Sequence, residues 1–289
     1  MLLRPLQYGR PGSLEEAVEM LAGNPGARPL AGGQSLINVL KHRAAEVPAV
    51  IDISRLEELR GIEADGAGGV EVGAACSYAQ IAASDAVAAA QPKVAEVAAG
   101  LVDQQVRCRG TIGGNACFND PGSNYPPLLV ALEATMRVKG PDGEREVAAE
   151  DFFEDTYKVD LGPGELLRSI VIPAADGAAV GYSSLQLGED SWAVARAVAR
   201  VRCNGTIAAP RIVIGCVSGA QPRAEASERA LDGAEPSAEA IAAAAARAGE
   251  GLEPASDAHA SASYRRKMAA VMAQRAVTEA SERARRGDG

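Results

Sequence analysis

Two glycine-rich segments constrain this chain more than any other feature: Ala31-Gly32-Gly33-Gln34-Ser35 and Thr111-Ile112-Gly113-Gly114-Asn115. Each follows a stretch that reads as extended, and the first leads into a helical pattern. Paired glycines let a backbone approach a ligand closely and turn successive N–H groups into one concavity. One such segment reads as an ordinary turn. Two of them, about eighty residues apart, read as jaws around one polyanion, with the pyrophosphate of a dinucleotide as the leading choice.

The first segment sits in a compact unit. Arg28-Pro29-Leu30 is a short strand, Ser35 is placed to cap a helix with Leu36, Val39 and Leu40 on its apolar face, and residues 49–53 form a second strand. This βαβ unit puts the anion at a helix N-terminus, where free N–H groups and the dipole favour it. Upstream, Ser13 and Glu16 form a capping-box pattern opening a helix with Leu14, Ala17, Val18 and Leu21 on one face. No GxGxxG opens a helix after a strand and no P-loop is present, which sets aside a Rossmann or P-loop nucleotide site.

Further along, residues 70–74 read as a strand, and Ser77 with Gln80 as a capping box opening one helix through Ala88. Another helix is predicted over residues 92–101, with 105–110 as the lead-in to the second glycine segment. Residues 128–132 are helical or buried. Strands over 134–138 and 145–147 flank the turn Gly140-Pro141-Asp142-Gly143, and 166–172 is a strand ending at Pro173. Residues 174–179 read as a linker. Two strands, 193–203 and 208–217, then flank the hairpin signal Asn204-Gly205, followed by helices over 238–248 and 263–285. The tail 282–288 reads as a solvated, frayed end.

Composition narrows the function classes. The net charge of −9 disfavours nucleic acid as a partner. No apolar run approaches a membrane span, and the start, Met1-Leu2-Leu3-Arg4-Pro5, has no secretory character. The five cysteines, none in a CxxC pair, suit reduced thiols in a cytoplasm and argue against a metal or iron–sulfur site in this chain. Two histidines, His42 and His259, leave no histidine-rich metal site.

The ordered set of motifs resembles one family, the FAD-binding medium subunit of molybdenum hydroxylases, the group of bacterial carbon monoxide dehydrogenase and xanthine dehydrogenase. The matching residues are Pro29 through Leu36, Arg109 through Asn115, Asp120-Pro121 with Pro126 or Pro127, and Gly164-Glu165-Leu166-Leu167 with Ile170 and Ile172-Pro173. The resemblance runs over nearly the whole chain. It implies an α+β fold: an FAD-binding domain over residues 1–175, with a small βαβ subdomain (about 1–55) and a mixed or antiparallel α+β subdomain (56–175). A C-terminal domain over 178–286, an antiparallel sheet with helices, follows. It also implies a heterohexameric, cytoplasmic oxidoreductase in which a molybdopterin-binding large subunit oxidises the substrate. A small subunit with 2Fe–2S clusters would relay electrons to the FAD here, and an external acceptor would take them.

By the same resemblance, the N–H groups of Ala31, Gly32, Gly33, Gln34, Ser35 and Leu36, and of Thr111, Ile112, Gly113, Gly114 and Asn115, hold the FAD phosphates. The hydroxyls of Ser35 and Thr111 add donors. The flavin carries the chemistry, so no catalytic side chain is expected. Asn124 stands where the family carries an acidic residue on the adenosine side; its carbonyl can still accept a hydrogen bond. Asp120 either compensates or caps the turn at Pro121. Leu166 or Leu167 falls beside the flavin ring or in a strand core. Ser184 and Gln186 stand where lysines sit in relatives, which would remove a cation that favours reduced, anionic flavin. Arg107 and Arg109 either brace the second segment or pair with phosphate. Cys108 and Cys117 read as small buried residues, and Trp192 as core. Two other readings stay open: a stand-alone flavin oxidoreductase, and a scaffold without cofactor.

Overall fold

The computed structural model describes residues 3–101, 103–188 and 191–287; Met1, Leu2 and Asp288 lie outside them. The chain opens with β1 (Gln7–Gly9), α1 (Leu14–Ala22), β2 (Arg28–Leu30), α2 (Leu36–Lys41) and β3 (Ala49–Asp52). The three strands make an all-parallel sheet in the order β1-β3-β2. The predicted face of α1 is buried with Ala49, Ile51 and Ile53. Ser13 caps α1 by accepting from the Glu16 N–H at 3.2 Å. The reciprocal half of the capping box is missing, because Glu16 Oε2 accepts instead from the Gly12 N–H at 2.6 Å.

The second unit contains β4 (Ile62–Ala64), β5 (Val70–Gly73), α3 (Tyr78–Ala82), α4 (Asp85–Ala90), α5 (Pro92–Ala99), α6 (Gln104–Arg109), α7 (Ile112–Phe118) and α8 (Tyr125–Ala131). It continues through β6 (Thr135–Gly140), β7 (Gly143–Ala148), α9 (Ala149–Phe152), β8 (Phe153–Asp155), β9 (Lys158–Val159) and β10 (Leu166–Ile172). An antiparallel sheet runs β4-β5-β10-β6-β7. The Ser77–Gln80 capping box closes in both directions. The single helix expected through Ala88 is two helices, because Ser84 starts α4 by accepting from the Val87 N–H at 3.3 Å. The lead-in read as extended is α6, capped by Asp103 Oδ1 on the Val106 N–H at 2.7 Å. The second glycine segment is itself the first turn of α7.

The third unit is β11 (Ala178–Gln186), β12 (Ala193–Asn204), β13 (Thr206–Gly215), α10 (Glu225–Leu231), α11 (Ala238–Ala245) and α12 (Ala262–Arg286). Its sheet is antiparallel, β11-β12-β13. The sequence pattern does not show β11, whose first residues read as the linker 174–179. Strict alternation on the sheet serves two cores. Ala195, Ala197, Ala199 and Val201 pack with α12, whereas Val180, Val198 and Val213 join the core of the second unit. Gly181 is where α12 comes closest, since a Cβ there would collide with the Ala276 carbonyl.

Ion pairs sew the third unit to the second. Arg211 pairs with Glu150 and donates from Nε to the Val130 carbonyl at 2.9 Å. Lys93 on α5 pairs with Glu279 on α12 at 2.5 Å, and Arg283 with Glu96 at 2.8 Å. The last contact corrects the reading of a frayed tail: α12 stays helical and anchored here.

Candidate cofactor site

The two glycine segments meet. A Cβ on Gly32 would collide with the Arg109 carbonyl and touch Gly110 Cα, so only glycine lets the loop after β2 and the end of α6 pack backbone to backbone. Gly33 adopts φ +72, a left-handed conformation that glycine enters without steric cost. The carbonyls of Gly32, Gly33 and Gln34 accept from Gln34 Nε2 at 3.2 Å, the Ile37 N–H at 3.3 Å and Asn38 Nδ2 at 2.7 Å. Among the described residues, nothing accepts from the N–H groups of Gly33, Gln34, Ser35 and Leu36. Ser35 does not cap α2: with φ −101 and ψ −55 its own backbone is already helical and its hydroxyl makes no cap bond.

The second segment behaves differently, and corrects the expectation of a symmetric grip. The Ile112 N–H donates to the Cys76 carbonyl at 3.1 Å, Gly113 to Ala74 at 2.9 Å, and Asn115 to Thr111 at 3.0 Å. The Gly114 N–H donates to Thr111 Oγ1 at 3.1 Å. These four donors are committed within the protein. Gly113 is needed because a Cβ would collide with Ala74. The Asn115 side chain braces α8 by accepting from the Tyr125 N–H at 3.3 Å. What this segment presents outward is the exposed Gly114; Thr111 is buried. Arg107 braces it, with Nη1 on the Leu101 carbonyl at 2.6 Å; Arg109 is exposed.

The turn after α7 is held from several sides. Asn119, fully buried at φ +45, donates from Nδ2 to the carbonyls of Asp155 at 2.8 Å and Gly219 at 2.9 Å. Asp120 does cap the turn, through Oδ1 on the Gly122 N–H at 2.8 Å, while its Oδ2 accepts from the Tyr157 hydroxyl at 2.7 Å. Burial, together with that carboxylate, pushes the Tyr157 phenol up to about 12. Arg196 enters from β12, 1% exposed, and its Nη1 donates to the Gly122 carbonyl at 2.8 Å and the Ser123 carbonyl at 2.5 Å. Its Nη2 donates to Asn124 Oδ1 at 2.5 Å, so the carbonyl expected to face a ligand is already engaged.

The remaining expected residues divide. Leu166 and Leu167 are strand-core side chains, buried in the first and second cores respectively. Ser184 faces Arg196 in the sheet register, and its hydroxyl is buried without a partner. Gln186 is exposed and bound to its own hairpin, Nε2 donating to the Ser191 carbonyl at 2.9 Å. Trp192 is 60% exposed, not core; its ring lies over Gly122, where a Cβ would press into it. Cys108 is exposed rather than buried, since α6 turns it outward, whereas burial pushes the Cys117 thiol up to about 12. Sequence reasoning missed Arg196 and Asn119, because a single arginine in an alanine-rich strand and one loop asparagine carry no pattern.

A row of four uncommitted N–H groups against a glycine wall is an anion cradle. With Gly32 bringing the second segment against it, this row fits a phosphate-bearing cofactor.

Comparison with known proteins agrees. Residues 4–175 match the family model of the FAD binding domain in molybdopterin dehydrogenase, and residues 181–280 that of the CO dehydrogenase flavoprotein C-terminal domain. The chain is 36% identical over 288 residues to the carbon monoxide dehydrogenase medium chain of Afipia carboxidovorans, covering 99% of this chain and 100% of that one. Its structure superposes on carbon monoxide dehydrogenase from Hydrogenophaga pseudoflava with a TM-score of 0.94, at 38% identity and over 98% of this chain and 99% of that one. It superposes on quinoline 2-oxidoreductase from Pseudomonas putida 86 with a TM-score of 0.93, at 33% identity, over 98% and 99% of the two chains.

Proposed function

The chain belongs to the FAD-binding subunits of the molybdopterin dehydrogenases, and on that premise we propose that it takes electrons from 2Fe–2S clusters of a partner subunit and hands them to an external acceptor. The partners in this reading are that small subunit and a molybdopterin-binding large subunit, in a heterohexamer in the cytoplasm. The match of both family models in order across the chain, together with the uncommitted N–H row at residues 33–36, carries the reading. The relatives' names mention carbon monoxide and quinoline; in this reading the large subunit selects the organic substrate.

Within this reading the isoalloxazine, when bound, supplies the exchange between one-electron and two-electron carriers. The N–H groups of Gly33, Gln34, Ser35 and Leu36 hold phosphate oxygens, and the Ser35 and Thr111 hydroxyls donate to the same group. Gly32 and Gly114 keep side-chain bulk out of the way. Asn124 and the Asp120 turn line the adenosine side, and Ser184 supplies a hydroxyl where relatives carry a cation. Purification from the native host with metal and flavin analysis tests the assignment. Molybdenum, iron and FAD accompanying the chain are expected; a chain that arrives with flavin and neither metal overturns the electron-transfer role.

A further inference from the structure

The end of α2 carries an arginine in a costly conformation. The helix closes in a Schellman motif: the Arg43 N–H donates to the Leu40 carbonyl at 3.2 Å and the Ala44 N–H to the Val39 carbonyl at 3.0 Å. The motif needs a left-handed residue at position 43, and Arg43 stands there at φ +57. Glycine is the usual occupant, because a Cβ makes this conformation unfavourable. Among the described residues, neither the Arg43 guanidinium nor the Lys41 ammonium makes a hydrogen bond or ion pair, and both residues are exposed. The helix dipole accounts for Lys41 in the last turn. It does not account for Arg43, since glycine would close the motif without strain. A strained residue with no side-chain contact inside the chain points to a contact outside it.

Arg43 also rims a groove of about 70 Å3, lined by Leu3, Leu6, Leu40 and Val47, with room for one apolar side chain. Glu46, the carboxylate on its lining, is paired with Arg4. Residues 3–6 and 41–47 thus hold three cations (Arg4, Lys41 and Arg43) against one carboxylate, in a chain whose net charge is −9.

We propose that this groove docks the iron–sulfur partner subunit through an acidic segment that carries one apolar side chain. The side chain fills the groove, and flanking carboxylates pair with Arg43 and Lys41. The inference rests on the reading of this chain as an electron-transfer subunit. Charge complementarity selects an acidic partner. The six residues of α2 run from the phosphate cradle to this groove, about 9 Å by helix rise. A subunit seated here lies beside the cofactor that it has to reduce, which favours the iron–sulfur subunit over the large one.

Carbodiimide coupling, which joins an amine to a carboxylate in direct contact, tests this on the complex purified from the native host. The expected product is Lys41 joined to an aspartate or glutamate of the iron–sulfur subunit; no link from Lys41 to that subunit overturns the proposal. If the native chain brings down no iron-bearing subunit, the electron-transfer reading itself falls, and this proposal with it. Where the complex forms, the chain is titrated into the iron–sulfur subunit separated from it. Lys41→Glu combined with Arg43→Glu weakens association about tenfold or more, most strongly at low salt. Arg43→Gly weakens it about threefold, the size of an exposed ion pair. The thermal midpoint of that variant alone holds or rises, because glycine relieves the left-handed turn. A midpoint that falls in Arg43→Gly ties the arginine to the chain's own fold. That result, or association unchanged by the charge reversal, overturns the proposal.

Discussion

Gly32 shows how one missing methyl can hold a site together. Its Cα meets the Arg109 backbone, which brings the two glycine segments into one wall. Gly32→Ala forces that backbone contact apart, at a cost of about 1–3 kcal/mol by analogy with overpacked cores. The expected outcome is a lower thermal midpoint together with weakened FAD uptake, read by melting and by flavin titration. Gly114→Ala is the contrast: the neighbour its Cβ meets is Thr111 Oγ1, the atom that caps its own helix, so local capping suffers while the two segments stay together. At this scale the glycine pairs were legible because their residue type states their purpose. The reason for each glycine was not: Gly32 and Gly113 answer to protein backbone, and Gly33 to a left-handed turn.

At the scale of elements, short polar side chains decided where helices begin. Ser77, with Gln80, opened a helix where the pattern placed it, and Ser237 opened α11 likewise. Ser84 and Asp103 started helices that apolar spacing alone did not separate or did not show. β11 stayed hidden because its alanines, glycine and serines lack the branched run that marks a strand, and its place comes from burial between two cores. The contacts between elements also predict an acid response. For Glu150, burial acts to raise the carboxyl, but hydrogen bonding and charge from Arg211 and Arg223 outweigh it and hold the group below its usual value. For Glu96, burial is likewise outweighed by Lys93 and Arg283. A carboxylate depressed in the folded state adds stability above its unfolded pKa, about 4.3, and loses it as pH falls through the lower folded value. The thermal midpoint therefore stays flat from about pH 5 to 8 and drops below about pH 4. Glu150→Gln lowers the midpoint at neutral pH and flattens part of that drop. A variant whose midpoint falls equally at every pH would contradict this.

For the molecule as a whole, the third sheet is shared: one face belongs to the core of the second unit and the other packs with α12. The turn over residues 119–124 is built jointly. Asn119 reaches Gly219, the Cys216 N–H donates to the Pro121 carbonyl at 3.0 Å, and Arg196 grips residues 122–124. The motifs placed the phosphate grip in the N-terminal half; this shared construction was invisible in them, because contacts between residues a hundred positions apart leave no local pattern. The central claim is that residues 33–36 hold a pyrophosphate. Calorimetric titration of the apoprotein with FAD and with riboflavin, which has the same ring and no phosphate, tests it most directly. FAD binding at least about a hundredfold tighter is the expected result, on the order of the 3 kcal/mol that two or more charge-assisted hydrogen bonds contribute; equal affinities for the two would contradict the account.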